Sequence, residues 1–196
     1  IIGFHPTNLP KNRGKHPIIW SLALGLKKMS VSFFKVDEKI DNGDIIAQKS
    51  FNVSSRDNAT SVYNKISNIA LIEIVKILNK FQKKQKIVSY KQNNLESNYW
   101  RKRNYYDGQI NWSSAAITIH NLVRALSYPY PYSHFRYKNK DIKVLKTKIG
   151  KCNKKNIEYG KVISVRNNYF EIKCGISSIY ILETYPKIQL KVGDYL

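Results

Sequence analysis

Apolar and polar positions follow a strand-like pattern in three short segments near the start of the chain. Residues 1–4 (IIGF) have the composition of the end of a buried strand, and residues 31–37 (VSFFKVD) are β-branched and aromatic. Residues 45–53 (IIAQKSFNV) alternate as a half-buried strand does, after the turn-forming sequence EKIDNGD at 38–44. The pattern therefore predicts three strands, the last two joined by a turn.

Two other segments of this half have helical character. Residues 16–26 (HPIIWSLALGL) suit a short helix with Pro17 in its first turn, where a missing N–H costs nothing. Apolar residues at helical spacing predict a long helix from about residue 59 to residue 81, with Asp57 or Asn58 as its cap. Its predicted apolar face consists of Val62, Ile66, Ile69, Ala70 and Ile77. Strands alternating with helices predict an α/β domain.

The amino-acid composition of the sequence changes after residue 82. Residues 83–104 are polar and have the composition of a linker, and a helix is expected to begin at Ser113 or Ser114 and to end at Leu126. Its predicted apolar face consists of Ile117, Leu122, Val123 and Leu126. The sequence YPYP follows and stops it, since proline cannot continue a helix.

The remainder of the chain consists of short β-rich runs separated by Gly and Asn turns. These runs are residues 135–139, 141–150, 160–168, 169–175 and 177–185. Their spacing predicts a small β-barrel with one helix packed against it.

Composition restricts the classes of protein that this chain can represent. Hydrophobic residues make up 42% and aromatic residues 12% of its 196 residues, which excludes a disordered chain. No apolar run reaches the roughly 20 residues that span a bilayer. Cys152 and Cys174 lack metal-site spacing and are expected to be reduced thiols in a cytoplasmic protein. The formal net charge of +21 favours an anionic partner such as RNA, a nucleotide or a polyglutamylated cofactor.

Two groups of residues could support chemistry. His5 directly follows a predicted strand, at the sheet edge where α/β folds place ligands. Asp41 and Asp44 flank a glycine turn after another strand, and a carboxylate there could orient an imidazole and raise its basicity. From the residues alone, a structural histidine and a simple turn are the favoured interpretations, and the functional interpretation is the alternative.

Longer motifs around these residues resemble the folate-dependent formyltransferase family. HPTNLPKNRGKHPIIW (5–20) and KVDEKIDNGDI (35–45) are similar to the family pattern Asn-x-His-x-x-LLP-x-x-RG followed by D-x-G-x-DTGDI. DGQINW (107–112), the segment LVRAL-x-YPYP (122–131) and GKVISV (160–165) resemble its C-terminal domain. The resemblance covers nearly all of the chain, in order.

The resemblance implies a fold and a division into domains. Residues 1–95 would form the C-terminal part of a Rossmann-like formyltransferase catalytic domain with a parallel sheet. Residues 96–196 would form a small OB-like β-barrel domain with one packed helix. Because the family has further strands and helices before this histidine, the chain is expected to be the C-terminal portion of a longer protein. A homodimer is a possible assembly.

The resemblance also implies formyl transfer from 10-formyltetrahydrofolate to a primary amine, without a metal. His5 matches the catalytic histidine of the family and is expected to relay a proton. Asp41 matches the catalytic aspartate and would fix the imidazole tautomer. The substrate loop would consist of Leu9, Pro10, Arg13 and Gly14, and the pterin-binding positions would be Val36, Asp37 and Lys39. Gly3 stands where the family has an oxyanion-stabilising asparagine, whose loss can cost roughly 10²–10³ in rate.

The identity of the acceptor amine has two interpretations. The segment NYWRKRNYYDGQINW (98–112) is similar to enzymes that formylate nucleotide-linked amino sugars, which makes such a sugar the preferred acceptor. The basic second half instead favours initiator methionyl-tRNA, because a tRNA backbone needs a positive surface. A third hypothesis is a non-catalytic remnant whose basic barrel binds RNA.

Overall fold

A computed structural model describes residues 1–166 and 169–196 of the chain. The chain divides into two compact units. The first comprises residues 1–21 and 26–103, and the second comprises residues 22–25 and 104–196. No helix among the described residues is long and apolar enough to cross a membrane.

The first unit contains the three strands that the hydrophobic pattern predicts, together with two short ones. They are β1 (Ile2–His5), β2 (Arg13–Gly14), β3 (Lys28–Lys35), β4 (Ile45–Asn52) and β5 (Tyr99–Trp100). The sheet order is β1-β3-β4, and both pairs are antiparallel. The parallel arrangement implied for this sheet is therefore wrong for these strands, and only β2 and β5 pair in parallel within the described part of this unit.

The two helices predicted for this half are confirmed as α1 (Pro17–Ala23) and α2 (Ala59–Gln82). Asn58 is the N-cap of α2: its side chain accepts a hydrogen bond from the Ser61 N–H at 2.9 Å. The Ser61 hydroxyl oxygen in turn accepts from the Asn58 N–H at 3.0 Å, which completes a capping box. Val62, Ile66 and Ile77 are buried, as their spacing predicts.

The segment 83–104, whose composition is that of a linker, forms specific backbone pairings with strands of the first unit. Tyr90 pairs with Ile45 of β4 through two backbone hydrogen bonds, and residues 94–96 form a 3₁₀ turn. Strand β5 then pairs with β2. The polar side chains of this segment form hydrogen bonds to other parts of the first unit, as Gln92 and Asn98 do.

In its described residues, the second unit contains all five strands predicted for it and one α-helix. These are α3 (Ala116–Ala125), β6 (Ser133–Tyr137), β7 (Lys140–Ile149), β8 (Val162–Arg166), β9 (Tyr169–Lys173) and β10 (Ser178–Tyr185). The last two residues of the predicted run 160–168 lie outside the described residues. Residues of α3 and of the strands form one apolar core, which includes Ile119, Phe135, Ile172 and Ile179.

The closed barrel expected here is wrong for the part of the chain that the structure describes. The sheet is open, in the order β6-β7-β10-β9-β8, and β6 and β8 lie at its two edges. The edge of β6 receives a hydrogen bond from the Ile110 N–H to the His134 carbonyl. The edge of β8 exchanges backbone hydrogen bonds with Gly193 and Asp194. Irregular segments thus pair with part of each edge, at His134 of β6 and Val162 of β8.

Helix α3 also begins later than predicted. The N–H and hydroxyl of Ser113 donate to the Asn111 side-chain oxygen at 2.9 and 2.7 Å, so this serine forms a turn before the helix. Ile117 is exposed, whereas Ala116 and Ile119 are buried. Val123 and Leu126 are buried and Leu122 packs against the core as predicted, so of the predicted apolar face only Ile117 is misplaced.

Candidate active site

His5 is the last residue of β1 and is buried, with 5% of its surface exposed. Its backbone pairs with Ser32 in the middle of β3, which fixes the position of the residue on the sheet. The ring nitrogen Nε2 lies 2.9 Å from the carbonyl oxygen of Asn12. The other nitrogen, Nδ1, lies 3.5 Å from Oδ2 of Asp41. The predicted pairing of His5 with Asp41 is therefore present in the geometry.

Asp41 lies in the connection between β3 and β4, with a left-handed backbone at φ 52°. Aspartate tolerates this conformation better than most residues do. Gly43 is needed in the same turn, because a Cβ there would lie 1.7 Å from the Lys35 carbonyl oxygen. Asp41 Oδ2 also accepts a hydrogen bond from the Gly14 N–H at 2.9 Å. The carboxylate is thereby held between β2 and the imidazole.

These contacts determine which nitrogen of the imidazole can accept a proton. A carbonyl oxygen only accepts hydrogen bonds, so the contact with Asn12 requires a hydrogen on Nε2 of His5. In the neutral ring Nδ1 then carries the lone pair, and it is the nitrogen that faces Asp41. The Asn12 carbonyl therefore fixes the tautomer that Asp41 was expected to fix, and the nitrogen that can accept a proton lies beside the Asp41 carboxylate.

Arg13 is the most deeply buried cation of the first unit, with 2% of its surface exposed. Its guanidinium donates to neutral oxygens: Oε1 of Gln92 at 2.7 and 3.2 Å, the Tyr99 hydroxyl at 3.0 Å and Oδ1 of Asn94 at 2.9 Å. All three acceptors come from the segment 83–104. Sequence reasoning missed Gln92, because a side-chain amide in a polar stretch has no distinctive spacing, and it missed Asn12, because that residue acts through its backbone carbonyl, which every residue type carries. The signal available was the arginine itself, since a buried guanidinium requires several acceptors.

The other predicted loop residues lie between β1 and α1, next to His5. Leu9 is buried in a small cluster with Phe34 and Ile45, and its carbonyl accepts from Gln48 Nε2 at 3.0 Å. Pro10 is partly exposed in the same turn. Leu9, Pro10, Arg13 and Gly14 thus lie in one short segment, which approaches Asp41 through the Gly14 N–H.

Val36, Asp37 and Lys39 lie at the start of the connection that carries Asp41, and all three are exposed. Asp37 accepts hydrogen bonds from the Lys39 N–H at 3.0 Å and from Asn42 Nδ2 at 2.9 Å. These bonds fold the connection into a local turn. The three residues share a loop with the catalytic candidate and remain available to a ligand.

Gly3 lies opposite Phe34 in the pairing of β1 with β3. A Cβ built at position 3 would lie 2.5 Å from the tip of the Phe34 ring. An aromatic ring therefore occupies the space next to position 3. Among the described residues, no group of three or more His, Cys, Asp and Glu side chains is placed to hold a metal ion.

Comparison with known proteins relates this site to one family. The family model "Formyl transferase" matches residues 1–78, and "Formyl transferase, C-terminal domain" matches residues 103–195. The methionyl-tRNA formyltransferase of Thermodesulfovibrio yellowstonii is 34% identical over 148 residues, which cover 76% of this chain and 47% of that protein. The chain spans between 47% and 63% of the length of the first curated relatives that it matches.

Solved structures agree with the sequence matches. The sugar 3N-formyl transferase WlaRD, determined in the presence of dTDP and 5-N-formyl-THF, is 25% identical with a TM-score of 0.72, over 96% of this chain and 66% of that one. The methionyl-tRNA formyltransferase from Clostridium thermocellum is 25% identical with a TM-score of 0.65, over 76% of this chain and 63% of that one. Motifs, buried site and both family domains lead to the same conclusion: the chain belongs to the formyl transferase family.

Proposed function

We propose that this chain carries the transfer site of a folate-dependent formyltransferase, which moves a formyl group from 10-formyltetrahydrofolate to a primary amine. The observation that supports this best is the buried pair of His5 Nδ1 and Asp41 Oδ2, 3.5 Å apart, beside a loop of the family type. Membership of the family supports the reaction class.

In the proposed reaction the neutral amine attacks the formyl carbon and forms a new C–N bond. The attacking nitrogen becomes cationic and the formyl oxygen gains the negative charge. His5 Nδ1 takes one proton from this nitrogen, and Asp41 stabilises the resulting imidazolium. When the carbon–N10 bond breaks, the proton passes to N10 of tetrahydrofolate, and the ring returns to its neutral form. Proton transfer by a positioned group contributes about 10²–10⁴ in rate.

The residues around the pair have proposed roles as well. Val36, Asp37 and Lys39 would contact the pterin, which their exposure on the Asp41 loop allows. Leu9, Pro10, Arg13 and Gly14 would shape the substrate loop. We propose no catalytic metal, because the proton-transfer pair accounts for the chemistry that this reaction requires.

Methionyl-tRNA is the acceptor that the comparisons support better. Curated relatives that match the whole length of this chain bear the name methionyl-tRNA formyltransferase, as in Rickettsia massiliae at 29% identity. The net charge of +21 suits a polyanionic acceptor. A nucleotide-linked amino sugar, which the segment 98–112 favours, is the second candidate, and the similarity to WlaRD supports it.

Free Cys152 and Cys174 fit a reducing cytoplasmic location.

The deciding experiment is a formyl-transfer assay of the full-length protein with 10-formyltetrahydrofolate. Methionyl-tRNA is compared with dTDP- and UDP-linked amino sugars at equal concentration. Formylation of methionyl-tRNA is expected, with loss of turnover in His5→Ala. Transfer to the sugar alone would establish the second candidate. Salt-sensitive tRNA binding without transfer to any acceptor would instead identify an RNA-binding module and overturn the enzymatic proposal.

A further inference from the structure

Gln92 uses both ends of its amide within the candidate site. Its Oε1 accepts two hydrogen bonds from the Arg13 guanidinium, at 2.7 and 3.2 Å. Its Nε2 donates to the backbone carbonyls of Asp41 at 2.9 Å and Gly43 at 2.8 Å. Two acceptor positions and two donor hydrogens are all that a primary amide offers, so the side chain is fully engaged.

These bonds close a ring around the carboxylate. Arg13 holds Gln92, Gln92 holds the backbone of Asp41, and Asp41 Oδ2 accepts from the N–H of Gly14. Gly14 is the residue after Arg13 in β2, so the chain itself completes the circuit. The guanidinium anchors the ring because it is buried and has further hydrogen bonds to Tyr99 and Asn94.

The backbone at Asp41 needs such support. Its left-handed φ of 52° is unfavourable for a residue with a side chain. The hydrogen bonds from Gln92 to the carbonyls of Asp41 and Gly43 hold the backbone that directs the Asp41 carboxylate toward His5. Since a displacement of about 1 Å can cost on the order of 10²-fold in rate, the position of this turn matters for turnover.

We propose that Gln92 is a positioning residue, which fixes the Asp41 carboxylate against His5 by linking the Asp41 turn to the buried Arg13. This inference rests on the proposed formyl transfer for its functional consequence. It assigns to the segment 83–104 a role in arranging the active site.

The competing interpretation is that Gln92 only satisfies the buried Arg13. Gln92→Glu separates the two, because a carboxylate keeps both bonds to Arg13 and gains an ion pair, but cannot donate to the carbonyls of Asp41 and Gly43. Gln92→Met removes both sets of bonds. Gln85, an exposed residue just after α2, provides the matched controls Gln85→Glu and Gln85→Met.

The first measurement is steady-state formyl transfer by the full-length protein. Both Gln92 variants are expected to lose roughly 10–100-fold in kcat with KM for the acceptor changed less than about threefold, and the Gln85 variants to match the unaltered protein. If Gln92→Glu retains full kcat while Gln92→Met does not, the residue serves Arg13 alone and the proposal is overturned.

The second measurement does not need activity. The Gly14 amide donates to Asp41 Oδ2, so its NMR chemical shift and hydrogen exchange report the place of that carboxylate. In both Gln92 variants this amide is expected to shift upfield and to lose protection, with thermal unfolding still cooperative. An unchanged Gly14 amide in Gln92→Glu would overturn the positioning role even if the unaltered protein transferred no formyl group. Absence of transfer with a shifted amide would count against the proposed function only.

Discussion

The ring of Phe34 occupies the space that any side chain at Gly3 would need. The two residues face each other across β1 and β3, and a Cβ at position 3 would lie 2.5 Å from the nearest ring atom. Phe34 is buried and packs with Leu9 and Ile45. Position 3, where the family pattern has an asparagine, therefore faces an apolar ring that leaves no room for a side chain.

This pairing predicts that restoring the asparagine alone is harmful. Gly3→Asn is expected to lower the free energy of unfolding by about 1–3 kcal/mol, because it overpacks a buried ring. The measurement is chemical denaturation of Gly3→Asn, Phe34→Ala and the double variant. The double variant should be more stable than the sum of the single effects predicts, because each change relieves the defect of the other. Additivity within about 0.5 kcal/mol would show that the two side chains do not compete for this space.

Replacement of Asp41 by asparagine tests the charge beside His5. Asparagine keeps an acceptor for the Gly14 N–H and tolerates the left-handed backbone, so the fold should be retained. It removes the negative charge 3.5 Å from Nδ1. We expect kcat for formyl transfer to fall by about 10²–10⁴ with little change in unfolding temperature.

Asp44 offers the matched control for that experiment. It lies three residues later in the same connection and is 3.8 Å from the exposed Lys35 ammonium. Asp44→Asn is expected to keep kcat within about threefold, because exposed ion pairs contribute little. Equal losses of kcat in both variants would contradict a specific role for the Asp41 carboxylate.

The sequence predicts the two catalytic candidates of the site better than the residues that hydrogen-bond to them. His5 and Asp41 could be found because each follows or precedes a strand with a strong hydrophobic pattern, and the structure brings them together. Gln92 and Asn12 could not be found, because an amide or a carbonyl in a polar segment is assigned a partner only by tertiary packing. The family pattern predicts Arg13 as a residue of the substrate loop. Its burial, which requires hydrogen-bond acceptors such as Gln92, connects the predicted residues with the missed ones.

In the second unit, too, the local sequence pattern predicts the strands but not how distant segments pair. All five strands follow from β-rich runs between turns, but closure depends on whether β6 meets β8. In the described residues these edges are instead occupied by Ile110 and by the turn at Gly193 and Asp194. Neither segment has a strand pattern, so the open sheet could not be predicted from periodicity.

Asp57 predicts a dependence of stability on pH. Burial opposes ionisation of this carboxylate, but hydrogen bonds from Lys65 Nζ, the Ser54 N–H and the Ser61 hydroxyl together lower its pKa from 3.8 to about 2. The stabilisation is complete above the unfolded pKa and is lost as pH falls from about 4 to about 2. Because Lys65 is 40% exposed and solvent screens it, we expect about 1–2 kcal/mol.

Asp57→Asn should therefore be less stable by that amount at pH 7, and its stability should depend less steeply on pH between 4 and 2. Urea denaturation at a series of pH values provides the measurement. Glu158→Gln, at an exposed carboxyl group, is the control and should change stability by less than about 0.5 kcal/mol. Parallel pH profiles for Asp57→Asn and the unaltered protein would assign the acid sensitivity to other groups.

The two cysteines should differ sharply in reactivity. Cys174 is fully buried, and burial raises the pKa of its thiol to about 12, whereas Cys152 is only partly buried. The thiolate is the reactive form of cysteine, and the fraction of Cys174 present as thiolate at pH 8 is on the order of 10⁻⁴. Iodoacetamide at pH 8 should modify Cys152 alone in the native protein and both residues in urea, as peptide mass spectrometry can measure. Native Cys152→Ser should take up no reagent; rapid modification of Cys174 in that variant would mean that the core of the second unit opens readily.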